Sequence, residues 1–198
     1  AACDKFTQVS LGLDGSVLIN AESFDDGSYD NCNDTMFKAR RMSTNSCQPN
    51  NRFFDQVRFC CEDAGDTVQV LLRVFDSSPP VGDVSLTFME TNANDCMVHV
   101  FIDDKTRPSC QAPDNVTVSC ENFDIGLTTY GDAIGADNCC LDTLTVINNT
   151  NGFDDQCSRG TILRTFRVTD CGGLSTQCTQ RILAVSYTHL RAHETVLD

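Results

Sequence analysis

Cysteine is the residue type in this sequence with the greatest capacity for chemistry, since it occurs 13 times in 198 residues. Zinc ribbons and thioredoxin-like redox sites require two cysteines separated by two residues, and the sequence contains no such pair. Disulfide bonds are therefore the expected role of these side chains. Because disulfides persist in oxidising compartments, the sequence predicts a secreted or cell-surface protein.

The cysteine count also raises the question of a catalytic thiol, because six cysteines fall in residues 1–104 and seven in residues 105–184. At least one therefore lacks a partner in its own half, and neighbouring sequence could supply that partner. A nucleophilic thiol needs a nearby base, and His99 is the one histidine outside the C-terminal segment. The chain also lacks a Gly-rich phosphate loop, and nothing singles out a pair of carboxylates of the glycosidase kind. The sequence therefore predicts a protein that is not an enzyme.

Acidic residues form the second group with chemical potential, at residues 25–31, at Asp103-Asp104 and at Asp154-Asp155. Their oxygens could bind calcium, although none of these clusters has EF-hand spacing. Asp and Asn are also preferred in turns, because their side chains accept hydrogen bonds from nearby backbone. Solvated loops and calcium sites therefore both stay open. Asp103 and Asp104, beside the expected linker, are the candidate calcium ligands, and no other cofactor is expected.

The net charge of −14, from 28 acidic and 14 basic residues, argues against two classes of partner. Nucleic acids and anionic membranes both attract concentrated cationic surfaces. No run approaches the roughly eighteen consecutive apolar residues of a spanning helix. We expect neither nucleic-acid binding nor membrane insertion.

Alternating apolar residues predict an all-β fold. Residues 6–13 and 16–21 place apolar side chains at every second position, and Asp14-Gly15 between them is typical of a two-residue hairpin turn. Further strand patterns occupy residues 56–61, 67–75, 84–89, 96–102, 115–120, 128–130, 141–147, 162–169 and 177–184. Short strands separated by turn residues favour antiparallel β-sandwiches.

The length suits two domains of roughly a hundred residues each. A short segment ending at Pro108 separates two groups of strands, and proline stiffens a linker by fixing φ. We predict a first module at residues 1–104 and a second at residues 105–184, joined in tandem.

The two halves also resemble each other. Asp30-Asn31-Cys32 is matched by Asp137-Asn138-Cys139, and residues 67–76 correspond to residues 160–170. In each half a cysteine opens the last predicted strand, Cys96 in the first and Cys178 in the second. An internal duplication favours a modular array over a single catalytic domain.

Residues 185–198 differ from everything before them, since they carry two of the three histidines and no cysteine. This run resembles the translation of a sequencing-library adapter, so His189 and His193 are not expected to belong to a functional site. Because the chain begins with Ala rather than Met, we expect it to be a fragment of a longer exported protein.

Several spaced motifs carry a family resemblance: residues 108–118, Asp137-Asn138-Cys139, residues 166–173 and residues 177–180. In this order they resemble the HYR-like immunoglobulin-fold repeats of large secreted Bacteroidota surface proteins. Residues 9–15 and 27–32 resemble a sister repeat of the same proteins. The resemblance implies two tandem immunoglobulin-like sandwiches stapled by disulfides, with a non-catalytic role as an adhesive or spacer array on the cell surface.

The resemblance also implies disulfide pairings and partners. It pairs Cys110 with Cys178 and, by analogy, Cys3 with Cys96. Cys32 is expected to bond Cys60 or Cys61, and Cys139 to bond Cys157, while Cys47, Cys120, Cys140 and Cys171 are unassigned. Expected partners are neighbouring repeats of the same chain and surface glycans or host and cell-surface proteins. The alternative is a carbohydrate- or protein-binding accessory module of a larger secreted hydrolase.

Three short acidic-threonine motifs resemble the glycosylation signal of exported Bacteroidota proteins. They make Thr35, Thr67 and Thr143 the candidate glycosylation sites.

Overall fold

The computed structural model describes residues 1–31, 35–76, 82–85, 93–150, 152–154 and 159–186. The chain divides into two compact units, Ala1–Thr106 and Arg107–Asp198. This division falls two residues after the boundary expected from the sequence. Both units contain β-strands and short 3-10 helices, with no α-helix in the described part of the chain. The predicted all-β fold, stapled by disulfides, is confirmed.

Unit 1 is built from a four-stranded sheet and two small two-stranded sheets. The large sheet has the order β1-β8-β6-β3, and the small sheets pair β2 with β5 and β4 with β7. The strands are β1 (Phe6–Ser10), β2 (Ser16–Asn20), β3 (Met36–Arg41), β4 (Arg52–Phe53), β5 (Gln56–Cys60), β6 (Thr67–Phe75), β7 (Val84–Ser85) and β8 (Ala93–Asp103).

The core of unit 1 follows from the period-two pattern of its central strand. Val68, Val70, Leu72 and Val74 of β6 are all buried, while the residues between them are exposed or half-buried. Buried side chains of β8 and of the small sheets complete this core: Val98, Val100, Ile102, Phe53, Val57, Phe59 and Val84. Full burial of one such aliphatic or aromatic side chain stabilises the fold by about 1.5–3 kcal/mol.

Unit 2 has one four-stranded sheet in the order β10-β14-β13-β12 and a two-stranded sheet of β9 and β11. Its core centres on Leu127, Ile162 and Ile182, with Phe123 and Phe153 packed against them. The strands are β9 (Ser109–Gln111), β10 (Val116–Ser119), β11 (Ile134–Ala136), β12 (Leu141–Asn149), β13 (Gly160–Asp170) and β14 (Ser175–Val185).

The internal duplication extends to strand register. Cys96 is the fourth residue of β8, and its cross-strand partner is Leu72 of β6, which lies four residues before Asp76. Cys178 is the fourth residue of β14, and its cross-strand partner is Phe166 of β13, which lies four residues before Asp170. The same strands, the same offset and the same cysteine position therefore recur in both units.

Most strand pairs are antiparallel, with one exception in the large sheet of each unit. The first strand of each large sheet pairs in parallel with the last strand of its unit, β1 with β8 and β10 with β14. In unit 1 the first and last strands of the chain are therefore neighbours, whereas in unit 2 the short strand β9 of the small sheet precedes β10.

The predicted hairpin at Asp14-Gly15 is wrong. A tight turn is present, since the Gly12 N–H donates to the Ser16 carbonyl and the Gly15 N–H donates to the Gly12 carbonyl, each at 3.0 Å. The strands on either side diverge, however, because β1 pairs with β8 whereas β2 pairs with β5. Hydrogen bonds within residues 12–16 form the turn, whereas β8 and β5, which are distant in sequence, determine how the two flanking strands pair.

Residues 128–130 also differ from expectation. They form a 3-10 helix, Thr128–Tyr130, rather than a strand. Leu127, which precedes it, adopts the left-handed conformation with φ of 58° and is buried in the core. The need to bury this side chain at a tight corner overrides the weak β pattern.

Candidate functional site

Disulfides that link the first and last segments of each unit are the most prominent chemical feature of the structure. In unit 1 a disulfide joins Cys3 to Cys96, with Cα atoms 6.2 Å apart and a sequence separation of 93. In unit 2 a disulfide joins Cys110 to Cys178, with Cα atoms 5.7 Å apart and a sequence separation of 68. Both pairs are those implied by the family resemblance.

Two further disulfides use cysteines whose partners the sequence left open. Cys47 bonds Cys60, and Cys140 bonds Cys171, with Cα separations of 6.0 and 5.7 Å. The alternative that paired Cys32 with Cys60 is therefore wrong, because Cys60 is bonded to Cys47.

The remaining cysteines divide into three groups. Cys61 and Cys139 are disulfide-bonded. Their expected partners, Cys32 and Cys157, lie outside the described residues, so those pairings stay predictions. Cys120 is the one free cysteine of the described part of the chain and is half-buried.

A metal centre at the cysteines is not favoured. Within the described ranges, one group of metal-ligating side chains is close enough to hold an ion, formed by Cys47, Cys60 and Asp63. Its two sulfur atoms are bonded to each other. Metals bind the thiolate form, so this disulfide removes the two sulfur ligands.

Beside the Cys47–Cys60 disulfide lies a buried ion pair between Arg41 of β3 and Asp63. The side chains are 1% and 6% exposed. The two terminal guanidinium nitrogens of Arg41 donate to the carboxylate, and Nη1 also donates to the Arg58 carbonyl at 3.0 Å. The carboxylate also accepts from the Asn45 side chain at 2.9 Å and from the Cys60 N–H at 3.1 Å. This network fixes β3, β5 and the disulfide loop to one another.

Unit 2 has a different buried polar network, built on Arg164 of β13 and Gln180 of β14. Arg164 donates to the Gly131 carbonyl at 2.7 Å and to Gln180 Oε1 at 2.9 Å. The Gln180 amide donates in turn to the carbonyls of Asp114 at 2.8 Å and Tyr130 at 2.9 Å. The network ties two loops to the centre of the sheet.

Near Cys96, Arg73 and Asp95 form a two-pronged ion pair across β6 and β8, with both N···O distances 2.7 Å. The hydrogen bond from Asp95 raises the pKa of Arg73 above its ordinary value, against the opposing effect of burial. The guanidinium also lies over the Phe53 ring, 4.2 Å from its centre. This cluster braces the strand that carries Cys96.

The candidate calcium ligands Asp103 and Asp104 are occupied by other groups. Asp103 accepts a hydrogen bond from Gln8 at 2.9 Å and lies 3.5 Å from the Lys105 ammonium. Asp104 accepts the Thr106 N–H at 3.0 Å, which is a turn contact. No third ligand-bearing side chain gathers around them in the described ranges. The described residues therefore form no cluster of calcium ligands at Asp103 and Asp104, and calcium binding there stays a prediction.

Other acidic residues likewise hold turns together. Asp124 accepts the N–H groups of Thr129 at 3.0 Å and Gly126 at 2.9 Å and the Thr128 hydroxyl at 3.0 Å. These bonds, the Thr129 N–H first, hold the pKa of Asp124 below its usual range. Asp14 accepts the Ser16 N–H and hydroxyl, which lowers its pKa in the same way. This is the solvated-loop role that the sequence left open beside calcium.

The acidic loop at residues 25–31 borders a cleft of about 300 Å³ at one end of unit 1. Tyr29, which is 89% exposed, lines it together with Asp30, Asp76 and Asn94. The Asp25 carboxylate accepts the N–H groups of Gly27 and Ser28 and so shapes the loop. An exposed aromatic ring beside polar groups is the arrangement expected of a carbohydrate-binding module, and that alternative stays a prediction. Asp155 lies outside the described residues, and Asp154 pairs with Arg159 at 3.4 Å.

Comparison with known proteins gives no family assignment. No family model and no curated protein matches the chain, so the resemblance to HYR-like repeats stays a prediction. Solved structures of cadherin ectodomains align with 92% of the chain, but at low similarity. Drosophila N-cadherin EC1-4 gives a TM-score of 0.39 and 11% identity, and the chain covers 48% of it. Human Mucin-like Protocadherin EC1-2 gives a TM-score of 0.33 and 11% identity, and the chain covers 96% of it. The human Desmocollin-1 ectodomain gives a TM-score of 0.33 and 12% identity, and the chain covers 41% of it.

The chain therefore spans about half the length of the N-cadherin fragment. Since every one of these TM-scores is below 0.5, the likeness carries no argument about function.

The remaining candidate residues are dispersed. Thr67 and Thr143 are exposed on β6 and β12, whereas Thr35 is half-buried and lines the cleft. His99 lies on β8 of unit 1, where its ring nitrogen is 3.4 Å from the Gln69 amide. The free thiol of Cys120 belongs to unit 2.

No helix in the described part of the chain is long and apolar enough to cross a bilayer.

Two functional features were missed by sequence reasoning, namely the Arg41–Asp63 pair and the Arg164–Gln180 network. Each joins residues whose charge or polarity is ordinary for a surface position. A usable signal existed for Arg164 and Gln180, since each falls at an inward-facing position of a predicted strand, Arg164 between Ile162 and Phe166 and Gln180 two residues before Ile182.

Proposed function

We propose that this chain is an extracellular, non-catalytic tandem module that carries tension, either between a cell surface and an adhesive partner or between domains of a longer exported protein. The observation that supports it best is the position of the Cys3–Cys96 and Cys110–Cys178 disulfides relative to the strands at which the chain enters and leaves each unit.

Tension along the chain would load the parallel strand pairs in shear. In unit 1 the chain enters at the Phe6 end of β1, which pairs with His99, and leaves at Asp103, which pairs with Ser10. Entry and exit thus lie at opposite ends of the same ladder, so all its hydrogen bonds resist together. In unit 2 the chain first passes through β9, which carries Cys110, and then forms the parallel ladder of β10 and β14, from Val116 paired with Ile182 to Ser119 paired with Val185.

The disulfides lie at the entry end of these ladders and provide a covalent bypass. Cys3 precedes β1, and Cys96 lies three residues before His99. A force that broke the ladder would pass through the sulfur bridge and leave the residues between the two cysteines out of the load path. A role in tension therefore explains why cysteines occupy equivalent positions in both units.

An extracellular location is supported by the same bonds, because disulfides persist in oxidising compartments. Neighbouring repeats of the same parent chain are the partners proposed at the two ends. Either an adhesive or a spacer role would use the same mechanical property.

Single-molecule stretching of the oxidised chain tests this proposal. We expect that removing the Cys3–Cys96 bond, with Cys3→Ser and Cys96→Ser together, adds at most about 270 Å to the length released when unit 1 unfolds, at about 3.3–3.6 Å per extended residue. The Cys47–Cys60 bond still closes 13 of the 93 residues of that loop. The matched variant for unit 2, Cys110→Ser with Cys178→Ser, should add at most about 125 Å, because the Cys140–Cys171 bond still closes 31 of its 68 residues.

The intact oxidised chain should show neither release. Equal release lengths from the intact chain and the double variants would mean that the disulfides do not bear load, and the proposed function would be lost.

A further inference from the structure

Strand β12 (Leu141–Asn149) forms an edge of the large sheet of unit 2, with an unusual degree of exposure. Among the described strands it pairs with β13 alone. All nine of its residues are exposed. They include large apolar side chains: Leu144 is 44% exposed, Val146 43% and Ile147 69%. In an apolar strand of this kind, the side chains on one face are normally buried against the core.

From Thr143 onward, this edge lacks the features that keep strand edges apart. Proteins usually protect an open edge with lysine, proline, a short strand or a bulge. β12 contains neither lysine nor proline and is nine residues long. Its one charged residue, Asp142, lies at the register shift between Leu141 and Thr143. From Thr143 onward the edge is regular and uncharged.

The sequence of β12 is self-complementary about Thr145. In an antiparallel pair of two such strands centred there, Leu144 would face Val146, Thr143 would face Ile147, and Asp142 would face Asn148. Apolar and β-branched residues then oppose one another, which stabilises cross-strand pairs. No like charges meet, although the chain as a whole carries −14.

We propose that β12 pairs with β12 of a second copy of this chain, in antiparallel orientation about a two-fold axis at Thr145. The contact would join two four-stranded sheets of unit 2 into one continuous sheet of eight strands. It would allow lateral association of neighbouring molecules and does not depend on the proposed role in tension.

The contact should be weak and concentration-dependent. A single strand pairing buries less than the roughly 1,200 Å² of a standard stable interface, and mutual repulsion of two acidic chains opposes it. Association in the micromolar to millimolar range is therefore expected, and it should strengthen as salt screens that repulsion.

Sedimentation equilibrium of the full oxidised chain over a range of concentrations tests the proposal. The wild-type chain should show a reversible monomer–dimer equilibrium. Thr145→Lys would place two ammonium groups opposite each other at the axis and should weaken dimerisation at least tenfold. Thr179→Lys is the matched control, since Thr179 is also exposed but lies on the central strand β14. It should leave the equilibrium unchanged.

Hydrogen exchange followed by mass spectrometry locates the contact independently of any variant. Amides of β12 should become protected as concentration rises, with no change in β13. A monomer at all concentrations would overturn the proposal. So would a dimer that Thr145→Lys and Thr179→Lys affect equally, or one that non-reducing electrophoresis shows to be covalent.

Discussion

Asp63→Ala is expected to lower the free energy of unfolding of unit 1 by about 3–5 kcal/mol, because it leaves the buried Arg41 guanidinium without its counter-charge. The Asn45 amide and the Cys60 N–H would lose their acceptor as well. Hydrogen exchange reports this loss locally, since β6 lies in unit 1 and β13 in unit 2. Amides of β6 should lose protection, whereas those of β13 should keep it.

Two further variants separate the buried charge from general damage. Asp95→Ala removes the carboxylate of the Arg73 pair, whose side chains are 20% and 32% exposed, and should cost no more than about 1 kcal/mol. Arg41→Met combined with Asp63→Leu removes both charges and should cost less than Asp63→Ala alone. If Asp63→Ala were as mild as Asp95→Ala, the pair would not organise unit 1.

Removal of the Cys3–Cys96 disulfide is expected to have an equally large effect on unit 1. The chain-entropy model gives about 4.7 kcal/mol for closing a loop with a sequence separation of 93. Because this term acts mainly on the unfolded chain, Cys3→Ser with Cys96→Ser should reduce stability without changing the strands. Urea denaturation monitored by circular dichroism, together with exchange in β6, measures the change.

The shorter Cys47–Cys60 loop is the internal comparison. Its separation of 13 corresponds to about 2.9 kcal/mol in the same model. Removing the longer loop should therefore destabilise unit 1 more than removing the shorter one. The reverse order would show that local packing around Asp63, rather than loop closure, dominates the effect of these disulfides.

Much of the fold follows from period-two patterning. The predicted strand at residues 67–75 has the bounds observed for β6, and β13 and β14 extend the predicted strands by one or two residues at each end. These strands lie in the centres of their sheets, so one face is buried and the alternation is clear. Strand β3 was missed because Lys38, Arg40 and Arg41 interrupt its apolar pattern. Partners distant in sequence satisfy two of these charges, Asp55 for Lys38 and Asp63 for Arg41.

The candidate site could be predicted only where a family resemblance or an internal repeat was present. The resemblance to HYR-like repeats implied the Cys110–Cys178 pairing, and the Cys3–Cys96 pairing followed by analogy, since Cys96 and Cys178 occupy equivalent strand positions. Cys47 and Cys140 follow no such repeat, and their bonding depends on loop paths that a pattern does not encode. Parallel pairing of β1 with β8 was likewise hidden, because strands 93 residues apart leave no local signal.

The measurement that tests the central claim most directly is disulfide mapping of the chain after export into an oxidising compartment. Free thiols are alkylated, the unreduced protein is digested, and cross-linked peptides are identified by mass spectrometry. We predict peptides linked through Cys3–Cys96 and through Cys110–Cys178, with Cys120 alkylated. Alkylated Cys3, Cys96, Cys110 or Cys178, or a different partner for any of them, would contradict the account of two units each closed by its own disulfide.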